Sequence, residues 1–284
     1  MANLKEIRNR ISSVSSTMQI TSAMKMVSAA KLKKAQDAIT AMRPYSNKLT
    51  EILQGLSSSI NSDNKYAQKR IVKKVLIVSI TSNRGLCGGF NSNIFKKSTE
   101  LASSVYNDSD VSFVAIGKKG NDFLQKSFNV ESNHIDIFDN LNMESVSLIA
   151  ESLMEKFVNE DFDKIHIIYN KFKNAATQVV VNEQFLPISD IEEDASNNTD
   201  YIFEPSKTEI IEELIPKSLK NQLFKAIRDS WASEHGARMT AMHKATDNAT
   251  ELRDQLKLAY NQARQAAITN EILEIVGGAE ALNN

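Results

Sequence analysis

The sequence has little of what marks disulfide-rich, membrane-spanning or turn-rich proteins. It contains one cysteine, four prolines and nine glycines. A single cysteine excludes an internal disulfide and a metal site made of cysteines alone. Few prolines and glycines favour long regular elements. The longest purely apolar runs have the length of a strand, and none approaches the roughly 20 residues that cross a bilayer. Because the start also lacks the apolar core of a signal peptide, we expect an unexported protein without direct membrane insertion.

Charge is balanced overall but unevenly distributed. Lys and Arg total 34 against 35 Asp and Glu, for a net charge of -1. Residues 1–74 contain 14 basic and 4 acidic side chains, whereas residues 75–206 contain 10 basic and 20 acidic ones. The balance argues against a uniformly basic nucleic-acid binder. The asymmetry indicates either structural units with different partners or two solvated surfaces that attract each other.

Apolar residues in the first 60 positions recur at alternating spacings of three and four, which is typical of a coiled-coil seam. The repeat begins at Leu4 and resumes at Leu32 after an interruption. The interrupting residues are polar: Thr21, Lys25 and Ser28. The pattern predicts an N-terminal helix over residues 1–60, followed by a basic polar linker over residues 61–74.

The middle of the chain has a different periodicity. Short apolar runs bounded by turn residues predict strands at 75–80, 111–116, 135–138, 165–169 and 179–181. Helical patterns lie between the earlier runs. Strands that alternate with helices predict an α/β domain with a mainly parallel sheet over residues 75–206.

Residues 207–284 read as a second long helical region, which we expect Pro216 to break early, at a helix start. The spacing of three and four returns there, mostly on alanine, which allows two helix axes to approach closely. The predicted seam residues are Leu252, Leu256, Ala259, Ala263, Ala266, Asn270 and Leu273. Because neither terminal helix can bury its stripe alone, we predict an α/β domain inserted between two long terminal helices that pair as an antiparallel coiled coil.

Residues suited to chemistry are sparse. Gly85, Gly88 and Gly89 follow the first predicted strand, where a phosphate-binding loop would lie, but their spacing matches no phosphate motif. Cys87 has no histidine or acid near it in sequence to activate it. His235 and His243 are too far apart on one helix to share a metal. We therefore expect no catalytic residue, no metal site and no cofactor in this chain.

Four segments, in order along the whole chain, resemble the gamma subunits of F-type ATP synthases. They are residues 7–32, 82–89, 233–249 and 268–281. The last is the most specific, with Ile268 and Thr269 followed by Glu271 and Glu274. Asn83 departs from the aspartate common in the family. The cysteine pair of redox-regulated chloroplast forms is missing, so thiol regulation of that kind is not expected.

The resemblance implies a non-catalytic rotor on the central stalk, which couples ion-driven rotation of a c-subunit ring to the catalytic beta subunits. The implied partners are three alpha and three beta subunits, an epsilon-type subunit and the c ring, at the cytoplasmic face of the inner (plasma) membrane. The implied partner-interface residues are Met24, Lys25, Arg84, Arg238, Arg264, Gln265, Thr269 and Glu271.

Two other functions remain open from the residues alone. One is a nucleotide-binding α/β enzyme with helical arms, which the missing phosphate motif disfavours. The other is a coiled-coil scaffold without a motor role. A scaffold would tolerate helix exchanges that keep the heptads, whereas a shaft would lose coupling when its contact residues change.

Overall fold

The computed structural model describes residues 4–55, 64–188 and 207–282, which form five α-helices and five strands. The helices are α1 (Leu4–Gly55), α2 (Phe90–Glu100), α3 (Lys118–Leu124), α4 (Met143–Val158) and α5 (Lys207–Leu282). The strands are β1 (Lys74–Ile80), β2 (Asp110–Ile116), β3 (Asn129–His134), β4 (Lys164–Phe172) and β5 (Gln178–Leu186). The predicted boundaries at residues 60 and 206 lie outside the described residues. None of the described helices is both long and apolar enough to cross a membrane.

The chain divides into two compact units. The first combines the residues up to Ser28 with those from Met239 onward, and the second is Ala29–Arg238. In the first unit, α1 and α5 pair antiparallel. The Arg8 guanidinium donates a hydrogen bond to the Tyr260 hydroxyl at 2.8 Å. Near the other end of the pair, Thr246 Oγ1 donates to Thr21 Oγ1 at 2.8 Å.

The seam predicted on α1 is confirmed by burial. The buried positions of α1 all fall on the repeat of three and four and include the polar members Thr21 and Ser28, whereas Lys25 is half-buried. They are Ile7, Thr21, Ser28, Leu32, Ala35, Ile39, Ser46 and Leu49. Thr21 and Ser28 are accommodated because their hydroxyls also bond to carbonyls of their own helix, at Met18 and Met24.

The seam predicted on α5 is wrong in its register. Leu256 and Ala263 are half-buried as predicted, but Leu252, Ala259, Ala266, Asn270 and Leu273 are exposed. The repeat of buried or half-buried positions is instead Met242, Thr246, Ala249, Arg253, Leu256, Tyr260, Ala263 and Ala267, with Ala245 and Thr250 half-buried beside it. Long side chains such as Arg253 and Tyr260 reach the neighbouring helix with their tips, and a periodicity of apolar residues does not register such contacts.

The antiparallel pairing also explains where burial on α5 ends. Arg8 lies opposite Tyr260, so the start of α1 at Leu4 lies about one turn further along α5. Every described side chain from 268 to 279 is exposed. We call residues 268–279 the C-terminal tip. No described part of α1 extends far enough to cover it.

The second unit is built on a five-stranded sheet in the order β3-β2-β1-β4-β5. The pairings of β1 with β2, β1 with β4 and β2 with β3 are parallel, and β4 with β5 is antiparallel. Helix α4 and the first part of α5 cover one face, around Leu76, Val78 and Ile167. Helices α2 and α3 pack on the other face, around Ile77 and Phe113. The strand β1 is buried on both faces, as parallel strands in α/β domains usually are.

Two local predictions are wrong in this unit. The strand predicted at 135–138 is a 3₁₀ turn (Asp136–Phe138), and the strand precedes it as β3. Strand β3 is an edge strand with a polar sequence, so it has no apolar run to reveal it. Pro216 lies inside α5 and not at its start. The helix continues through it because Ile211, Ile215 and Leu219 are buried in the core and their packing offsets the missing hydrogen bond.

Gly117 is required by the turn between β2 and α3. Its φ is +102°, and a Cβ there would overlap the backbone carbonyl of Thr81. We expect Gly117→Ala to lower the free energy of unfolding of the full chain by about 3 kcal/mol, from strain and overpacking together. Urea unfolding followed by circular dichroism measures the change.

Gly278→Ala is the matched control, because Gly278 lies in α5 with nothing within 4 Å of a new Cβ. There alanine is the better helix former, and we expect a gain of up to about 1 kcal/mol. Equal unfolding midpoints for the two variants would contradict the proposed role of Gly117.

Candidate partner interface

The C-terminal tip and the turn before it carry four of the residues that the resemblance implies. Arg264, Gln265, Thr269 and Glu271 are all exposed on α5. The Thr269 hydroxyl donates to the Gln265 carbonyl at 2.9 Å, an ordinary contact along a helix. Their side chains are therefore available to a partner.

The same tip presents a large apolar surface that sequence reasoning did not identify as such. Five bulky apolar residues of the tip are between 47% and 71% exposed. They are Ile268, Ile272, Leu273, Ile275 and Val276. Contiguous exposed apolar surface of this kind marks a protein–protein contact. The signal was present in the sequence as a cluster of aliphatic residues, but the predicted seam assigned part of it to helix pairing.

Met24 and Lys25 lie on α1 beside a second exposed apolar group. Both side chains are half-buried, whereas Ile20, Met26 and Val27 are more than half exposed. Methionine adapts its shape to a partner, which suits a surface that must repack during contact. The polar interruption of the seam thus lies at the same level of α1 as an exposed apolar surface.

Arg84 and Arg238 lie in contact, and the contact is between the Arg238 side chain and the backbone of Arg84. The Arg238 guanidinium donates to the carbonyl oxygens of Arg84 at 2.8 Å and of Gly85 at 3.2 Å. It also pairs with the Glu234 carboxylate, one turn earlier on α5, at 2.7 Å. Arg238 is only 7% exposed, whereas the Arg84 side chain is exposed. Arg238 therefore holds the turn of residues 82–89, which we call the glycine turn, against α5.

The glycine turn itself is held by a network of short polar contacts. Ser82 N donates to Asn91 Oδ1 at 3.0 Å, and Asn91 Nδ2 donates to Ser82 Oγ at 2.8 Å. Leu86 and Gly88 have positive φ. Because Leu86 adopts this conformation with a side chain that is 63% exposed, the turn presents an apolar residue to its surroundings.

Asn83 stands where the family that the sequence resembles commonly has aspartate, and its side chain forms two hydrogen bonds in this turn. Its Nδ2 donates to the Ile135 carbonyl at 2.9 Å, and its Oδ1 accepts from Lys118 N at 2.9 Å. An ionised aspartate has no donor and would leave the first contact unmade.

Electrostatics around Arg238 favour rigidity over proton transfer. Burial raises the pKa of Glu234, an effect that the charge and hydrogen bond of Arg238 oppose. Burial, helped by Arg238 and Lys31, lowers the pKa of His235 to about 3, so this histidine is neutral at physiological pH. His235 Nε2 is buried and has no hydrogen-bond partner among the residues that the structure describes. A charged pair beside a neutral histidine holds two elements together and provides no general base near neutral pH.

Cys87 is buried under the turn, and burial raises the pKa of its thiol, so the reactive thiolate is disfavoured. Among the described residues, no group of three or more His, Cys, Asp or Glu side chains is placed to hold a metal ion.

Comparison with known sequences matches the whole chain to one family. Residues 3–282 match the family described as ATP synthase. A protein of Flavobacterium johnsoniae named ATP synthase gamma chain is 68% identical over 286 residues, which cover 100% of both chains. A protein of Christiangramia forsetii with the same name is 64% identical over 285 residues and also covers 100% of both.

Comparison with solved structures agrees with this match. A chain from the central stalk and c-ring structure of Tetrahymena thermophila mitochondrial ATP synthase is 27% identical with a TM-score of 0.62, covering 80% of this chain and 99% of that one. A chain of the Euglena gracilis mitochondrial ATP synthase rotor is 19% identical with a TM-score of 0.66, covering 93% and 98%, and supports the fold alone. The predicted arrangement of an α/β domain between two long terminal helices is thereby confirmed. On its sequence and its fold together, the chain belongs to the family of ATP synthase gamma chains.

Proposed function

We propose that this chain is the rotor of the central stalk in a membrane ATP synthase and performs no chemistry itself. The observation that carries the proposal is the end-to-end match with gamma chains at high identity. Ion flow turns a ring of c subunits, the chain turns with it, and its changing contacts drive the catalytic beta subunits through their conformations. ATP is bound and made on those partners.

The proposed arrangement assigns the two units to different partners. Three alpha and three beta subunits surround the paired terminal helices, and the α/β unit binds an epsilon-type subunit and the c ring. We place the complex at the cytoplasmic face of the inner (plasma) membrane, with this chain as a peripheral subunit.

For the interface itself, we propose that Arg264, Gln265, Thr269 and Glu271 contact loops of the beta subunits. Their exposure on α5 supports this, as does the apolar surface of the C-terminal tip beside them. We assign Met24, Lys25 and the Arg84 side chain to further partner contacts. Arg238 acts on the interface by fixing the glycine turn that carries Arg84.

The alternative of a nucleotide-binding enzyme has less support. In the glycine turn that would hold a phosphate, the backbone groups are already engaged. Arg238 donates a hydrogen bond to the Arg84 carbonyl, and Ser82 N donates one to Asn91 Oδ1. A scaffold without a motor role would not account for an exposed tip of twelve residues that continues beyond the start of α1 at Leu4.

The first test is reconstitution with purified alpha and beta subunits. We expect the full chain to co-elute with them in size-exclusion chromatography and to raise their ATP hydrolysis several-fold. A folded chain that neither co-elutes nor raises turnover would overturn the rotor proposal. Nucleotide binding by the chain alone, followed by equilibrium dialysis, would then support the enzyme alternative.

Gln265 provides a test of the beta-subunit contact. We expect Gln265→Ala to lower ATP-driven ion pumping of the reconstituted enzyme several-fold, because one lost interface contact of about 1 kcal/mol is about fivefold. The isolated chain should keep its stability, since Gln265 is exposed. Gln262→Ala makes the same change at an exposed position outside the proposed contact and should pump normally. Equal pumping by the two variants would remove Gln265 from the interface.

The Glu234–Arg238 pair provides a test of the turn. We expect Arg238→Gln to lower the free energy of unfolding by about 3–5 kcal/mol, because Glu234 is left buried without its cation. The double variant Glu234→Gln, Arg238→Gln should recover part of the loss. Denaturant unfolding of each variant measures both effects.

Arg10→Gln is the matched control, since Arg10 pairs with Glu6 at the same helical spacing but both side chains are more than 60% exposed. Its effect should stay within about 0.5 kcal/mol. Similar losses from Arg10→Gln and Arg238→Gln would show that burial of the pair at Arg238 has no special role.

A further inference from the structure

A cavity in the second unit carries a charge pattern that the rotor function does not use. Its volume is about 330 Å³, and it lies between α1, the end of β4 and α5. Arg43, Lys171 and Lys225 line it with exposed side chains, and Asp229 lines it with a side chain that is 7% exposed. Three cations thus surround one nearly buried carboxylate.

These charges are left without close partners inside the protein. Within the described part of the chain, Asp229 forms no ion pair shorter than 4 Å and no hydrogen bond. Arg43, Lys171 and Lys225 likewise form none there. Burial raises the pKa of Asp229 to about 6, and the three cations oppose that rise. The carboxylate is therefore mostly ionised at neutral pH, and no group in the described residues donates a hydrogen bond to it.

Other acidic groups near the cavity are already engaged. Glu183 also acts on Asp229, and its charge raises the Asp229 pKa. The Glu183 carboxylate accepts a hydrogen bond from the Tyr169 hydroxyl at 2.6 Å and one from Gln222 at 3.5 Å. With Asp229 ionised, the lining residues still carry two positive charges in excess. The cavity thus offers two uncompensated positive charges and one unsatisfied acceptor.

A ligand that fits this pattern is an anion that also donates a hydrogen bond. A carboxylate or a sulfate supplies negative charge but has no proton at neutral pH, so it would face Asp229 as an unpaired like charge. An ammonium group would satisfy Asp229 but would meet three cations. Inorganic phosphate supplies both negative charge and a donor at neutral pH, because its monoanion and its dianion both keep a hydroxyl group. A phosphate monoester supplies a donor only as its monoanion, since its second pKa is about 6.

We propose that this cavity binds a tetrahedral phosphate group, whose hydroxyl donates to Asp229 while Arg43, Lys171 and Lys225 neutralise its charge. The group belongs either to inorganic phosphate or to a phosphate monoester bound as its monoanion. Ile39 and Phe172 form an apolar part of the lining, which is available to the carbon portion of an ester.

The test is isothermal titration of the full chain with inorganic phosphate and, separately, with sulfate at the same ionic strength. We expect saturable binding of phosphate and at least about tenfold weaker binding of sulfate, because sulfate leaves Asp229 unpaired. Equal affinity for the two anions, or no saturable heat with phosphate, would overturn the proposal. A titration with adenosine monophosphate and one with glycerol phosphate distinguish an ester from the free ion, since an ester site binds one of them more tightly than inorganic phosphate.

Substitution of the two lysines that line the cavity tests where the phosphate binds. Lys171→Gln and Lys225→Gln should each weaken phosphate binding about fivefold through the loss of one cation. Lys96→Gln removes an exposed lysine outside the cavity and should leave binding unchanged. Loss of affinity in all three variants to the same extent would indicate a diffuse charge effect and contradict the site.

Asp229→Asn tests the role of the carboxylate. The asparagine amide both donates and accepts, so the preference for phosphate over sulfate should fall towards unity. Circular dichroism confirms that the variant is folded, and the lysine variants keep the proposal testable if it is not. A preference that survives in folded Asp229→Asn would overturn the assignment of Asp229.

Discussion

Antiparallel pairing of the two terminal helices is the constraint on which the rest of the structure depends. A 52-residue helix and a 76-residue helix each carry a narrow buried stripe, and such helices gain most of their stability from packing. Their pairing in the first unit fixes which residues of α5 are covered. The C-terminal tip is exposed because no described part of α1, which starts at Leu4, extends beside it, so the difference in helix length creates the main candidate contact surface.

Polar residues specify this pairing more sharply than apolar ones. Thr21 bonds to Thr246 in the first unit, and Ser46 accepts from Asn221 in the second. Apolar contacts tolerate a slip of one turn, whereas a buried hydroxyl that loses its partner costs a hydrogen bond, so polar seam residues fix the register. The polar interruption noticed in the sequence is therefore part of the pairing and not a weakness in it.

Within the second unit, charged and polar contacts join the first part of α5 to the edge of the sheet where the parallel strands end. Arg238 holds the backbone of the glycine turn, and Ser233 donates to the Asn170 carbonyl at 2.9 Å. Gly236 approaches the backbone of Ala175 so closely that a Cβ would lie 3.2 Å from it. These contacts fix the position, within its unit, of the turn that carries Arg84 and Leu86. A surface that binds a partner needs such a fixed position.

The sequence by itself determined the order of the elements, the seam of α1 and the family, because apolar spacing and local motifs are written along the chain. Only the tertiary structure decided the register of α5, where Arg253 and Tyr260 take the places expected for Leu252 and Ala259, and the passage of α5 through Pro216. It also decided that Arg238 is buried against the Arg84 carbonyl and that Asp229 meets three cations from three elements. Such outcomes depend on which residues distant in sequence come within a few ångströms, and no local pattern contains that information.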